Sequence, residues 1–163
     1  MAIEFSKEEL VKIEEIKSHY PSLKSALLPV LWLAQKKFGW ISNEVIKYVG
    51  NLLGIPYSHV LGVASFYTMF FKKPMGKYHI QVCRTLSCHL RGAEQLVAML
   101  KELLGIGLGQ ITPDGLFSLA EVECLGSCGT APMMQINEDY HENLTRDRVN
   151  QILSELRDKA HNG

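Results

Sequence analysis

Four cysteines, Cys83, Cys88, Cys124 and Cys128, constrain this 163-residue chain more than any other feature. They form two short pairs, C-x4-C and C-x3-C, with 35 residues between the pairs and no cysteine elsewhere. A fold that uses all four must bring two distant loops to one place. Four thiolates in two pairs are a donor set for a metal centre. Glycine follows closely in the second pair, Cys124-Leu-Gly-Ser-Cys128-Gly, where backbone has to approach sulfur.

The surroundings favour metal over disulfide. Met1-Ala-Ile-Glu-Phe-Ser-Lys-Glu-Glu9 has no apolar segment of the kind a secretory signal carries. The longest strongly apolar run, Ala26–Ala34, is nine residues and contains Pro29; a bilayer span needs about 20. The expectation is a cytoplasmic chain with no direct membrane insertion, able to sit peripherally on a membrane complex. In a reducing compartment, spaced cysteines are metal ligands or redox thiols. Net charge is zero, which gives no global field for nucleic acid. Residues 1–75 hold nine Lys and Arg against six Asp and Glu, and residues 76–163 hold eight against eleven, so the halves carry +3 and −3.

Hydrophobic periodicity divides the chain at Lys72-Lys-Pro-Met-Gly76. Residues 1–75 read as a helical bundle. Ser6 and Glu9 form a capping box ahead of Leu10, Ile13 and Ile16. A second helix is expected from Ser22 to Phe38, with Leu23, Leu27, Val30, Leu31 and Ala34 inward, a kink at Pro29 and a stop at Gly39. Ser42-Asn43 caps a third helix to Leu53, and Pro56 opens a fourth at its first position.

Residues 76–163 read β-α-β-β-α. Lys77–Val82 is a strand ending on Cys83, and His89–Leu104 is a helix with Leu90, Leu96, Val97, Leu100 and Leu104 on one side. Phe117–Glu123 is a strand delivering Cys124. Met133–Ile136 and Tyr140-His141 are short strands around an Asn-Glu-Asp turn, and Thr145 caps a last helix. Each cysteine pair therefore begins where a strand ends. If the two strands are neighbours, both loops leave the sheet at the same edge.

Two thiolates per iron is the requirement of a [2Fe–2S] core, which assigns Cys83 and Cys88 to one iron and Cys124 and Cys128 to the other. The site would carry −2 oxidised and −3 reduced. That charge calls for amides from the start of the His89–Leu104 helix, for Arg84 and Arg91, and for inward amides at Gly126 and Gly129. Structural zinc also takes four cysteines, but its usual knuckle is C-x2-C, and it stays as the rival reading. The plant-type C-x4-C-x2-C run is absent, and a Rieske centre needs two histidines where only His89 follows a cysteine. No C-x-x-C dithiol occurs. Unlinked core cysteines would explain neither the pairing nor the empty remainder.

Val82-Cys-Arg-Thr-Leu-Ser-Cys88 and Val122-Glu-Cys-Leu-Gly-Ser-Cys-Gly-Thr-Ala-Pro-Met133 resemble the thioredoxin-like [2Fe–2S] ferredoxins, and among them the 24 kDa-type subunits of respiratory NADH:quinone oxidoreductase (complex I). Gln135–Thr145, Leu28-Pro29, Ile41-Ser42 and Val63-Ala-Ser-Phe-Tyr67 are similar to the same family, so the likeness covers nearly the whole chain. The resemblance implies an α+β chain: an N-terminal helical bundle, 1–75, then a thioredoxin-like domain, 76–163, carrying one [2Fe–2S] cluster on Cys83, Cys88, Cys124 and Cys128. It implies an electron-transfer subunit beside an FMN- and NADH-binding flavoprotein, with the cluster near the flavin, at low potential, on the cytoplasmic side of the inner membrane. It implies a homodimer when isolated, and the short N-terminus without a targeting sequence suggests a bacterial rather than organellar source. Subunits of NAD-linked hydrogenases and formate dehydrogenases share these motifs and remain alternatives. From another class, so does a zinc-stabilised interaction module. The chain itself shows no G-x-G-x-x-G after a strand for NADH, and no acid, base or nucleophile set.

Other residues read as scaffold. His19, His59, His79, His141 and His161 are expected at the surface or in packing. His89, beside Cys88, is the one histidine placed to donate to a cluster sulfur. Glu121 and Glu123 flank the site and would disfavour its more negative reduced form. Phe66, Tyr67, Phe70 and Phe71 read as packing, with a docking face as the alternative. Met133-Met134 is strand core. Ala131-Pro132 precedes a strand and is expected to be cis.

Overall fold

The computed structural model describes residues 3–161. The chain forms two compact units, one ending at Pro74 and one beginning at Met75.

The first unit contains four helices: α1 Lys7–Ser18, α2 Leu27–Phe38, α3 Asn43–Leu53 and α4 Tyr57–Phe66. The expected capping box is present. The Ser6 amide donates to Glu9 Oε2 at 2.7 Å, and the Glu9 amide to Ser6 Oγ at 3.3 Å. Ser42 caps α3 through the Val45 amide at 3.2 Å. Ile13, Leu27, Val30, Leu31, Val49 and Phe70 are among the buried side chains that make one apolar core.

Two expectations for α2 are corrected. The helix starts at Leu27, not Ser22, because residues 22–27 close as turns (Ser25 amide to Ser22 carbonyl, 3.1 Å; Leu27 amide to Lys24 carbonyl, 3.3 Å). Leu23 therefore lies off the helical face and is 43% exposed. Pro29 falls in the first turn, where an amide needs no intrahelical partner, so its missing N–H removes no bond from the ladder. Pro56 sits one residue before α4, as its cap. The buried Gln35 amide accepts from Phe71 N–H at 2.7 Å and donates to the Met69 carbonyl at 2.8 Å, pinning the segment after α4. That segment buries Phe70, while Phe66, the last residue of α4, is 78% exposed.

The second unit is a four-stranded mixed sheet with helices: β1 Tyr78–Cys83, α5 Leu86–Leu90, α6 Ala93–Leu104, β2 Phe117–Val122, β3 Met134–Ile136, β4 Asp139–His141 and α7 Arg146–His161. Strand order is β2-β1-β3-β4. β1 and β2 run parallel with Tyr78 opposite Phe117 and Cys83 opposite Val122, while β3 and β4 are antiparallel to their neighbours. Ile80, Leu119, Met134, Leu100 and Val149 are buried in one core shared by sheet, α6 and α7. The Ala131–Pro132 peptide is cis, and Met133 and Met134 are fully buried.

The single helix expected over His89–Leu104 is two. Gly92 takes φ +98°, a left-handed conformation that ends α5 and starts α6 on a new axis. Cys88 consequently lies inside α5 rather than ahead of a helix, and Leu90, expected inward, is 73% exposed.

Candidate metal centre

Parallel pairing of β1 with β2 decides the site. Cys83 ends β1 opposite Val122, which ends β2, so the two chains that follow leave the sheet at the same edge. Cys83 and Cys88 are buried in an apolar cluster with Ala93, Ala131 and Met133, and Leu125 packs against it. Cys124 and Cys128 lie on the facing loop and are exposed. Their sulfurs are 3.8 Å apart. Two thiolates on one tetrahedral ion with metal–sulfur bonds of about 2.3 Å stand about 3.8 Å apart. Among the described residues, no three His, Cys, Asp or Glu side chains are grouped to hold a single metal ion.

The thiols feel one another across the pairs. Burial pushes the Cys88 thiol up to about 11, and hydrogen bonding and repulsion from Cys83 add to this. Burial also acts to raise Cys83, but the Thr85 hydroxyl, 3.2 Å from its sulfur, and the backbones of Leu125 and Thr85 outweigh it and bring the thiol below its ordinary value. At Cys124 the Gly126 amide, donating to the sulfur at 3.4 Å, lowers the thiol, and so does hydrogen bonding with Cys128. Cys128 is raised, first by its hydrogen bond with Cys124, while the Ser87 hydroxyl acts against that rise.

Of the two glycines expected to present amides, only Gly126 adopts a left-handed backbone, φ +83°, and its amide does reach sulfur. Gly129 lies in a 3-10 turn, Cys128–Thr130, where an added Cβ would meet nothing within 4 Å. Arg84 is committed to Glu123. His89 is exposed, with Nδ1 3.6 Å from Glu94 Oε1. Arg84, His89, Glu94, Glu121 and Glu123 all line an open cavity of about 360 Å³. Of the other histidines, His79 is buried with Nδ1 2.8 Å from Ser118 Oγ, His141 is half-buried, its imidazole lowered by burial, and His19, His59 and His161 are exposed.

Reading the sequence did not single out Thr85, Ser87, Tyr140 or Glu142. The first two stand inside Cys-Arg-Thr-Leu-Ser-Cys, where a hydroxyl between two candidate ligands is itself a signal. Tyr140 donates its hydroxyl to the Leu125 carbonyl at 2.7 Å, and Glu142 accepts from Thr130 Oγ1 at 2.6 Å and from Ser127 Oγ. No local pattern announces either.

A mixed sheet that delivers two cysteine pairs from neighbouring strand ends defines a class. The model of the thioredoxin-like [2Fe–2S] ferredoxin family matches residues 13–157, and this chain belongs to that family. The cofactor that membership implies is a [2Fe–2S] cluster, and the donor set fits it: thiol sulfurs, one pair already at the spacing one iron requires.

Among named relatives, the chain is 46% identical over 155 residues to a subunit of the NADH-quinone oxidoreductase of Rickettsia conorii, covering 93% of each chain. It is 49% identical over 148 residues to NADH-quinone oxidoreductase subunit 2 of Thermus thermophilus, covering 89% of this chain and 82% of that one. A solved NAD+-reducing [NiFe]-hydrogenase, in the air-oxidised state, superposes with a TM-score of 0.71 at 23% identity. The match covers 82% of this chain and only 23% of the hydrogenase chain, and it carries the fold alone.

Proposed function

We propose that this chain is the electron-transfer subunit of an NADH-quinone oxidoreductase and that Cys83, Cys88, Cys124 and Cys128 hold its [2Fe–2S] cluster. The observation that carries the reading is the arrival of both cysteine loops at one edge of the β1–β2 pair, with Cys124 and Cys128 3.8 Å apart. The relatives at 46% and 49% identity support the parent complex. The hydrogenase alternative rests on a likeness of fold. A zinc module needs four sulfurs on one ion, which the paired arrangement does not favour.

The cluster, when bound, takes up and returns one electron. The chain's residues do the rest. Cys83 and Cys88 anchor one side in an apolar interior, which keeps water from those sulfurs. Cys124 and Cys128 hold the other side at the surface, where an electron can arrive from a partner. The Gly126 amide and the Thr85 hydroxyl direct positive dipole ends at sulfur and favour the thiolates. The chain supplies a redox centre and no substrate chemistry, so no activity is expected from it alone. An FMN- and NADH-binding flavoprotein subunit is the partner, with a homodimer when the chain is isolated. Among the described residues no helix is long and apolar enough to cross a membrane, which suits a peripheral place on the cytoplasmic side of the inner membrane.

Anaerobic EPR before and after dithionite, with iron and sulfide assayed on the same sample, tests this. A silent oxidised state, an S = 1/2 signal on reduction and about two irons and two sulfides per chain are expected. A colourless protein with one zinc would overturn it.

A further inference from the structure

The two halves of the site are held by different means. Cys83 and Cys88 belong to a strand end and a helix and are 2% and 1% exposed. Cys124 and Cys128 lie on a loop with few bonds of its own: Gly126 N–H to the Cys124 sulfur at 3.4 Å, Thr130 N–H and Thr130 Oγ1 to the Ser127 carbonyl, both at 3.2 Å, and Ser127 Oγ 2.7 Å from Thr130 Oγ1. An exposed loop of this kind is of low local stability unless something outside it ties it down.

The tie comes from β4 and the residues after it. Tyr140 Oη donates to the Leu125 carbonyl between the two cysteines, at 2.7 Å. The Glu142 carboxylate takes two hydroxyls with one oxygen, Thr130 Oγ1 at 2.6 Å and Ser127 Oγ. The backbone continues the attachment: Asn143 N–H donates to the Thr130 carbonyl at 2.8 Å, and Leu144 N–H to the Pro132 carbonyl at 3.1 Å. Residues 140–144 thus grip the loop from Leu125 to Pro132. A hydroxyl bound to a carboxylate is a charge-assisted bond, stronger than a neutral one. Ser127 precedes Cys128, so this bond holds the backbone from which the Cys128 side chain projects.

We propose that Tyr140 and Glu142 are positioning residues that hold the Cys124–Cys128 loop in its binding shape. Their effect on the cluster rests on the ligand assignment given above; their effect on the loop does not. Glu142 acts through its acceptor oxygen, strengthened by its charge, so Glu142→Gln, which keeps a carbonyl at that place, loosens the grip less than Glu142→Ala does. Glu142→Ala and Tyr140→Phe release it.

The test has two arms on the full chain. In the metal-free protein, hydrogen exchange is followed at the Gly126, Thr130 and Asn143 amides, with Ile80 and Leu119 in the sheet as controls for folding. In the reconstituted protein, iron release to a ferrous chelator is timed and the reduced EPR signal recorded. Glu142→Ala should speed loop exchange and iron release about three- to tenfold, shift the EPR g values and leave the sheet amides unchanged. Tyr140→Phe should act in the same direction, and Glu142→Gln should fall between the parent and Glu142→Ala. Parent-like exchange in Glu142→Ala and Tyr140→Phe would overturn the proposal. So would Glu142→Gln matching Glu142→Ala, since charge alone would then be the cause. A parent that assembles no cluster overturns the ligand assignment instead, and the exchange arm still decides the loop.

Discussion

Arg84 and Glu123 are joined across the open ends of two parallel strands: Arg84 follows the last residue of β1, Glu123 follows the last residue of β2, and Arg84 Nε stands 3.0 Å from Glu123 Oε1. The pair continues the ladder below it, where Arg84 N–H donates to the Val122 carbonyl at 3.0 Å. Each partner is next in sequence to a cysteine, so the pair sets the local charge at the mouth of the site.

Reduction adds one negative charge to the site. Glu123→Gln removes a carboxylate that opposes this and leaves Arg84 with only the more distant influence of Glu121, so the midpoint potential should rise. Both groups are exposed and screened, and a shift on the order of 10 mV is expected. Arg84→Gln should lower the potential. An EPR-monitored redox titration reads both signs, and an unchanged or lower midpoint in Glu123→Gln counts against this account.

Cys128→Ser leaves Cys124 without its partner 3.8 Å away. The reduced spectrum should be lost or change shape, with iron below about two per chain. A spectrum identical to the parent's would remove Cys128 from the ligand set.

In the metal-free chain the four thiols should alkylate in a defined order. The thiolate is the nucleophile. Cys124 is exposed and its thiol is lowered by the Gly126 amide, so at pH 8 a larger share is ionised than for an ordinary cysteine. Cys88 is buried and raised to about 11, so its rate should still be climbing above pH 10. Peptide mass spectrometry after brief iodoacetamide exposure should find Cys124 labelled first and Cys88 last. Equal rates at pH 8 would contradict the order.

Gly76→Ala should destabilise the second unit by about 3 kcal/mol, the cost of overpacking against atoms that cannot move aside. A Cβ there would stand 2.4 Å from the Phe117 carbonyl carbon and 2.6 Å from the Ser118 nitrogen, both backbone atoms at the start of β2. The urea midpoint measures it, and an unchanged midpoint would show that the strand start yields freely.

Much of the fold is legible in the residues because it depends on near neighbours. Ser6 with Glu9, and Ser42 with the Val45 amide, are contacts three residues apart, and a capping pattern states them outright. Helical spacing over Ala93–Leu104 reflects burial of one face of one element, whereas the alternation expected over Phe117–Val122 is not followed by burial, since Phe117, Ser118 and Leu119 are all buried. The errors occur where a local pattern met a competing one. Leu23 and Leu90 share the spacing of buried residues, but turns before α2 and the left-handed Gly92 remove them from the helical faces they extend.

By itself the sequence determined the candidate donors: four cysteines, their pairing, and the glycine that lets an amide turn towards sulfur. These are properties of composition and of spacing over a few residues. Only the tertiary structure decided that β1 and β2 lie side by side, so that loops 35 residues apart open at one edge. It alone paired Arg84 with Glu123 and brought Tyr140 and Glu142 onto the Cys124–Cys128 loop. Such contacts join segments 12 to 39 residues apart. They form only after the sheet register is set, and periodicity along one element carries no information about which element will lie next to it.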